Sequence, residues 1–126
     1  MNVINIPVVS GKKDVLAKNI VRIESSSNYC KIYTKDREQP YLVAKVLRWF
    51  EQNLPNEIFI RVHHSHLVNA FFMEKLVEET SRSGNVLLKN GETIAISRRK
   101  KNSFLSHYTL FKKEALAGMR QLACED

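Results

Sequence analysis

The side chains of this sequence that are best suited to catalysis or binding lie in one apolar run. Histidines, an arginine and a serine interrupt that run. The run extends from Phe59 to Asn69 and reads Phe-Ile-Arg-Val-His-His-Ser-His-Leu-Val-Asn. Phe59, Ile60 and Val62 have the composition of a core strand, and apolar character resumes at Leu67. A core strand that changes to polar residues in this way predicts a rigid element that carries binding side chains to a surface.

Histidines could serve a metal site or a nucleophilic enzyme, but the pattern favours neither. His63 and His66 have the spacing of ligands on a helix, whereas their surroundings predict strand and turn, and no Cys-x-x-Cys completes a ligand set. Ser65 lies between His64 and His66, and adjacent side chains on an extended chain point to opposite faces. With only 4 glycines, the chain also has little with which to build a phosphate-binding loop. We therefore predict no enzyme, no metal and no cofactor.

The composition predicts one basic globular domain. The chain has 126 residues, of which 44% are hydrophobic and 26% charged, enough for a core without disulfides. Twenty lysines and arginines against thirteen acidic residues give a net charge of +7, which favours a polyanionic partner. No apolar run has the length of a membrane span and no export signal opens the chain, so we expect a cytoplasmic protein with reduced Cys30 and Cys124.

Alternating apolar and polar residues predict a mostly antiparallel β domain. Strands are expected at residues 3–9, 15–16, 20–25, 29–34, 39–42, within 59–69, and at 74–80, 86–89 and 92–96. Polar turns or loops are expected at 10–14 and 81–84, and a short helical turn at 70–73. The dipeptide Asn90-Gly91 predicts a two-residue type I′ hairpin, which would pair Leu87 with Ile94 and Lys89 with Glu92.

Two helices are predicted among these strands. A central helix follows from apolar residues at helical spacing, and Pro55 is expected to end it. The apolar residues of this stripe are Val43, Val46, Leu47, Phe50 and Leu54. A C-terminal helix is expected after Ser97, which is suited to cap it, and Gly118 could end it. Its apolar stripe consists of Phe104, Tyr108, Phe111 and Ala115.

Three stretches of the chain together resemble the LytTR family, the DNA-binding output domains of many bacterial response regulators. The run at 59–69 resembles the family signature. Residues 23–29, Ile-Glu-Ser-Ser-Ser-Asn-Tyr, lie upstream, and residues 90–91, Asn-Gly, lie downstream with 94–99, Ile-Ala-Ile-Ser-Arg-Arg. The resemblance implies a LytTR-type DNA-binding domain at residues 1–106 and a C-terminal helical extension at 107–126. It further implies an elongated set of small antiparallel sheets whose loops, rather than a recognition helix, enter DNA.

Polar and basic residues form three clusters at predicted loop positions, at 26–31, 63–65 and 98–101. Arginine can bond guanine bidentately, asparagine and histidine reach other base edges, and lysine, arginine and serine bind phosphates. The resemblance implies base contacts from Cys30, His64 and Arg98. Since cysteine is a poor reader, the neighbouring Asn28 or Lys31 is expected to substitute for Cys30.

The remaining site residues are predicted to contact phosphates or to support the loops. The predicted phosphate contacts are Ser26, Ser27, Arg61, Ser65, Arg99, Lys100 and Lys101. The predicted supports are Glu24, which would orient a basic group, His63, which would fix its loop, Asn69, which would bond backbone at the next turn, and Ser97.

These observations predict a sequence-specific, duplex-DNA-binding regulator of transcription. Family members usually bind direct repeats as two copies, which implies cooperation between two protomers on double-stranded DNA. They usually also carry a receiver domain or membrane segments, for which this chain has no room, so that partner would be separate or part of a larger protein. Two alternatives stay open. One is a β-rich protein-interaction module whose basic surface meets an acidic partner; the other is a single-strand binder that stacks bases on Tyr29 and Tyr33.

Overall fold

Short strands in three antiparallel sheets form the framework of the fold. The computed structural model describes residues 3–8, 11–78 and 84–125. The strands are β1 (Val3–Val8), β2 (Gly11–Leu16), β3 (Ile20–Ser26), β4 (Tyr29–Thr34), β5 (Tyr41–Val43), β6 (Phe59–His63), β7 (His66–Asn69), β8 (Met73–Glu78), β9 (Gly84–Leu88) and β10 (Thr93–Ile96). The helices are α1 (Leu47–Asn53) and α2 (Lys101–Glu125). The predicted mainly β, antiparallel, multi-sheet fold with a central and a C-terminal helix is confirmed.

The largest sheet has the strand order β5-β4-β3-β7-β6, and it lies between two cores. A hairpin of β1 and β2 and the helix α1 cover one face, where Leu47 and Phe50 are buried. Residues from both faces of β6 are buried, because Phe59 belongs to this first core whereas Ile60 and Val62 belong to the second. A strand with two covered faces reads as a continuous apolar run, which explains the composition of this stretch.

The second core forms between that sheet, the three-stranded sheet β10-β9-β8, and α2. Phe104 of α2 is fully buried there, and the ring of Tyr108 stacks on it with 5.6 Å between centroids. Phe111 continues the same helical stripe and packs against the core in turn. The predicted apolar face of the C-terminal helix is therefore confirmed at these positions, and it fixes α2 on the domain.

Arg22 joins the two larger sheets through an almost fully buried guanidinium. Its Nη2 lies 2.8 Å from Oε2 of Glu92, which belongs to the β9–β10 loop, and its Nη1 lies 3.1 Å from Oε1 of Glu24 on β3. The guanidinium carbon also lies 3.9 Å from the ring centroid of Tyr33. Although burial by itself lowers the pKa of Arg22, the carboxylates of Glu92 and Glu24 outweigh it, so the pKa is raised and the charge is kept.

Leu88 and Glu92 close the turn between β9 and β10, and the three residues 89–91 lie inside this pair, so the predicted two-residue type I′ turn is wrong. Gly91 N–H donates to the Leu88 carbonyl at 2.9 Å, and Leu88 N–H donates to the Glu92 carbonyl at 2.8 Å. Gly91 has a φ of +94°, which suits the glycine at the end of a three-residue hairpin loop. The Asn90 side chain accepts from Glu92 N–H and donates to its carboxylate, which holds that carboxylate in place for Arg22.

The longer loop moves the strand register by one residue. Ile94 pairs with Val86 rather than with Leu87, and the predicted pair of Lys89 with Glu92 is absent from this hairpin. Val86 and Ile94 are both buried, and a slip of one residue would turn one strand's apolar set away from the core. Burial of Val86 and Ile94 is thus consistent with the observed register. The dipeptide Asn90-Gly91 by itself predicted a register that is wrong by one residue.

Both helices also differ from their predicted bounds. Val43 is buried in β5 and pairs with Cys30, and Val46 precedes the first residue of α1, so the central helix begins at Leu47. The helix α2 continues past Gly118, which therefore does not end it. Strand β2 extends over most of the predicted turn at 10–14, and most of the predicted loop at 81–84 lies outside the described residues. Within the described chain, neither helix has the length and apolar character to cross a bilayer.

Candidate nucleic-acid interface

Two of the three predicted clusters meet at one end of the five-stranded sheet. Strands β3 and β7 are antiparallel neighbours, and Glu24 pairs with His66. The β3–β4 turn therefore lies beside the β6–β7 turn, and Ser25 N–H donates to the Ser65 carbonyl at 2.8 Å. Asn28 and His64 are exposed at the tips of these adjacent turns. The antiparallel pairing of the strands thus brings together residues that are far apart in sequence.

The third cluster joins the same end through the start of α2. Ser97 N–H donates to the carbonyl of Val62 at 2.8 Å, and Val62 is the last residue but one of β6, close to the β6–β7 turn. The Ser97 side chain accepts from Lys100 N–H at 3.1 Å and so holds the turn at 98–100 that leads into α2. Arg98 and Arg99 lie between them and are exposed. Cationic side chains therefore stand beside the two polar turns.

Cys30 does not contribute to this surface. It is 0% exposed and faces the first core, whereas Lys31 lies on the opposite face of β4 and is partly accessible. Burial raises the pKa of the Cys30 thiol, against a smaller opposing effect of Arg61, so the thiol stays protonated. The base contact predicted for Cys30 is wrong, because a side chain enclosed by the core cannot reach a duplex. Asn28 and Lys31 stay as predicted readers of this turn.

The β6–β7 turn is organised by His63. The Ser65 N–H donates to His63 Nδ1 at 3.2 Å, and the Ser65 hydroxyl lies 2.9 Å from the same nitrogen. Burial, aided by the charges of His64 and Arg61, lowers the pKa of His63 and favours the neutral ring that can accept these bonds. The ring of His64 packs with its centroid 4.3 Å from that of His63. His63 thus fixes the loop and leaves His64 at the surface.

Arg61 and Lys101 are bound within the chain rather than available to phosphates. Arg61 donates from Nε to the His63 carbonyl at 2.9 Å, and its two other nitrogens donate to the His64 carbonyl and to Glu51. Lys101 is only 7% exposed and takes part in an interaction within the protein. The phosphate contacts predicted for these two residues are therefore not supported.

Asn69 supports the far end of β7. Its side chain accepts from Phe71 N–H at 2.9 Å and donates to the Ile20 carbonyl at 2.9 Å, and it is buried. The predicted bond to backbone at the following turn is confirmed, and the bond to Ile20 also ties β7 to the start of β3. Glu24 accepts from Arg22, as predicted for a residue that orients a basic group.

His66 is the most buried histidine near these turns. Its Nδ1 is buried without a hydrogen-bond partner and lies 3.9 Å from Glu24 Oε1. Burial lowers the pKa of His66; the Glu24 charge opposes this, and the Arg22, His63 and His64 charges reinforce it. In the described residues, no three histidine, cysteine or carboxylate side chains converge as metal ligands.

The lowered pKa of His66 predicts a pH-dependent stability. An unfolded histidine takes a proton near pH 6.5, whereas the folded state resists it. The contribution of neutral His66 is therefore complete above about pH 6.5 and is lost as the pH falls towards the lowered folded pKa. We expect the free energy of unfolding to fall over this interval in the wild type and to fall less in His66→Gln. Urea unfolding between pH 5 and 8 measures how steeply the free energy of unfolding changes with pH in each protein. Equal slopes for the wild type and His66→Gln would show that His66 is not the source of the pH dependence.

Sequence reasoning missed three residues that organise the site, namely Arg22, Glu92 and Glu51. A charged residue inside the apolar strand 20–23 was a detectable signal for Arg22, because a buried arginine needs partners. Glu92 is 70 residues from Arg22 along the chain, and no local pattern connects them. Glu51 on the polar side of α1 was indistinguishable from any solvated helix residue.

Comparison with known proteins shows which family the chain matches. The model of the LytTr DNA-binding domain matches residues 12–109. The sensory transduction protein LytT of Bacillus subtilis (strain 168) is 30% identical over 81 residues, which are 64% of this chain and 33% of that protein. The heme-containing CO-sensing transcriptional regulator RcoM 2 of Paraburkholderia xenovorans (strain LB400) is 33% identical over 89 residues, 69% of this chain and 32% of that protein. The chain thus spans about a third of the length of these relatives.

A solved structure shows the same fold. The LytTr DNA-binding domain of a Bacillus cereus protein superposes with a TM-score of 0.69 and 22% identity, over 88% of this chain and 96% of that one. The family match covers nearly all of β2, the strands of the two larger sheets, the three clusters and the start of α2, whereas β1 lies before it. The chain is therefore a member of the LytTr DNA-binding domain family.

Proposed function

We propose that this domain binds duplex DNA in a sequence-specific manner and thereby regulates transcription in the cytoplasm. The observation that carries the proposal is the convergence of three polar clusters at one end of the fold. Two backbone hydrogen bonds hold them there, from Ser25 to Ser65 and from Ser97 to Val62, each of 2.8 Å. Turns that are bonded to one another can enter a groove as one rigid surface, which gives a fixed register on the duplex.

The exposed side chains divide into base readers and phosphate contacts. Asn28, Lys31, His64 and Arg98 are the proposed readers, because each stands on one of the three clusters and carries donors or acceptors suited to base edges. Ser26, Ser27, Ser65, Arg99 and Lys100 are the proposed phosphate contacts. The net charge of +7 supplies the sequence-independent attraction, so affinity should fall as salt rises.

The regulatory setting is part of the same proposal. One relative is named as a sensory transduction protein and another as a heme-containing CO-sensing transcriptional regulator, and both are about twice as long as this chain. We therefore propose that a receiver or sensor region controls this domain, either from a separate protein or from another part of a larger one. Binding as two copies to direct repeats in promoters would let two weak sites act together.

Selection from a random duplex library at physiological salt tests the proposal. The expected result is enrichment of one motif by the wild type, with His64→Ala and Arg98→Ala losing preference at different base positions. Retention of every duplex and of heparin without enrichment would contradict sequence-specific reading and would favour the interaction module with an acidic partner. A preference for single strands over all duplexes would favour stacking on Tyr29 and Tyr33.

A further inference from the structure

Glu51 lies outside the three clusters, yet it bonds the side chain that holds the β6–β7 turn. Its carboxylate accepts from Nη1 of Arg61, while the other two nitrogens of that guanidinium donate to the carbonyls of His63 and His64. A guanidinium is a planar, rigid fork, so fixing one arm fixes the direction of the others. The position of Glu51 therefore determines where the backbone of the turn is held.

The helix that carries Glu51 is itself firmly placed. Leu47 and Phe50 of α1 are buried in the first core, so Glu51 is presented from a fixed element and not from a mobile loop. The Glu51–Arg61 pair also borders a polar cavity of about 180 Å³ that Lys100 of the third cluster lines. The pair thus stands next to two of the three clusters without belonging to either.

We propose that Glu51 is a positioning residue for DNA reading: it orients Arg61, and Arg61 sets the backbone from which His64 projects. This inference rests on the proposed function of the domain. It assigns to an acidic residue a favourable effect on binding to a polyanion, which is opposite to what its charge alone would produce.

The charge of Glu51 and its proposed positioning role have opposite effects on DNA binding, so substitutions can separate them. Glu51→Gln and Glu57→Gln each remove one negative charge, and Glu57 is exposed just after α1, so it is a matched control. General electrostatics predicts equal or slightly tighter DNA binding for both variants. The inference predicts this result for Glu57→Gln only. For Glu51→Gln we expect about three- to tenfold weaker binding to the selected duplex, and no weakening on a scrambled duplex.

A second readout does not require DNA. The neutral amide oxygen of Glu51→Gln accepts more weakly from Arg61 than the carboxylate does. The turn should therefore loosen, and the amides of His64 and Ser65 should exchange hydrogen faster in Glu51→Gln than in the wild type or in Glu57→Gln. Arg61→Lys keeps a positive charge opposite Glu51 but cannot donate to both carbonyls, and it should show the same faster exchange.

The two readouts separate failure of the inference from failure of the proposed function. If Glu51→Gln follows Glu57→Gln in both duplex selectivity and amide exchange, Glu51 is not a positioning residue. If the wild type prefers no duplex, the proposed function fails, and amide exchange alone then decides whether Glu51 holds the turn.

Discussion

Replacing Arg22 by methionine is expected to lower the free energy of unfolding by about 3 kcal/mol. The substitution removes the guanidinium that bonds Glu92 and Glu24 and packs over Tyr33, and it leaves two carboxylates beside each other without a cation. This loss is at the lower end of the range for breaking a buried ion pair, because the Glu92 side chain is 38% exposed and water screens it.

The pH dependence of this loss follows from Glu92. The hydrogen bond from Arg22 is the main cause that holds the pKa of Glu92 below its ordinary 4.5, against the opposing effect of burial. A lowered carboxyl pKa stabilises the fold above the unfolded value, and that stabilisation is lost as the pH falls through the folded pKa. The difference in the free energy of unfolding between the wild type and Arg22→Met should therefore become smaller below pH 4.5.

Urea unfolding at pH 7 and at pH 3.5 measures both effects. Arg48→Met is the matched control, because Arg48 is exposed on α1 and loses the same charge and a similar side-chain volume. We expect it to change the free energy of unfolding by less than about 0.5 kcal/mol. An Arg22→Met loss no larger than that of the control would show that the link between the two sheets contributes little.

Replacing Arg98 by alanine is expected to cost about 1–3 kcal/mol in binding to the preferred duplex and to relax base preference at one position. Arg98 is exposed in the turn between Ser97 and α2, beside the polar turns, and its two-pronged donor group can read a guanine edge. The matched variant is Arg99→Ala, which removes the same charge from the neighbouring exposed residue. It should weaken all duplexes about equally and lower the salt dependence of binding.

Fluorescence titration at several salt concentrations separates these outcomes. The selected duplex, a variant of it at each position, and a scrambled duplex are compared for the two proteins. If Arg98→Ala and Arg99→Ala both lose affinity equally on every duplex, Arg98 is a phosphate contact and not a reader. Lys101 is unsuitable for this comparison, since it is nearly buried and engaged within the protein.

The sequence predicted the fold correctly in those elements where the local residue pattern matches the burial of the side chains. The strand predicted at 29–34 is present as β4, and the alternation of its two faces explains why Cys30 is enclosed while Lys31 is partly accessible. Helical spacing located Phe104 and Tyr108 on the packed face of α2. The hairpin at Asn90-Gly91 was located correctly but shifted by one residue, because packing of the strands decides between two loop lengths that suit the same dipeptide.

The parts of the site that could not be predicted depend on contacts between distant residues. A run of four cations gives no sign that Lys101 is buried at the first residue of α2. Arg61 has the residue type of a phosphate contact, and only the folded turn shows its donors committed to backbone carbonyls and to Glu51. Pairing of strands and helices determines such contacts, and one-dimensional periodicity does not encode them.

An amide-resolved NMR titration tests whether the three separate clusters form one DNA-reading surface. The wild type is titrated with its selected duplex and with a scrambled duplex of equal length. We expect the selected duplex to shift the amides of residues 26–28, 63–65 and 97–100 together, with the same affinity, while the amides of strands β1 and β2 stay unchanged. Shifts confined to one cluster, or identical shifts with the scrambled duplex, would show that the clusters do not form a single DNA-reading surface.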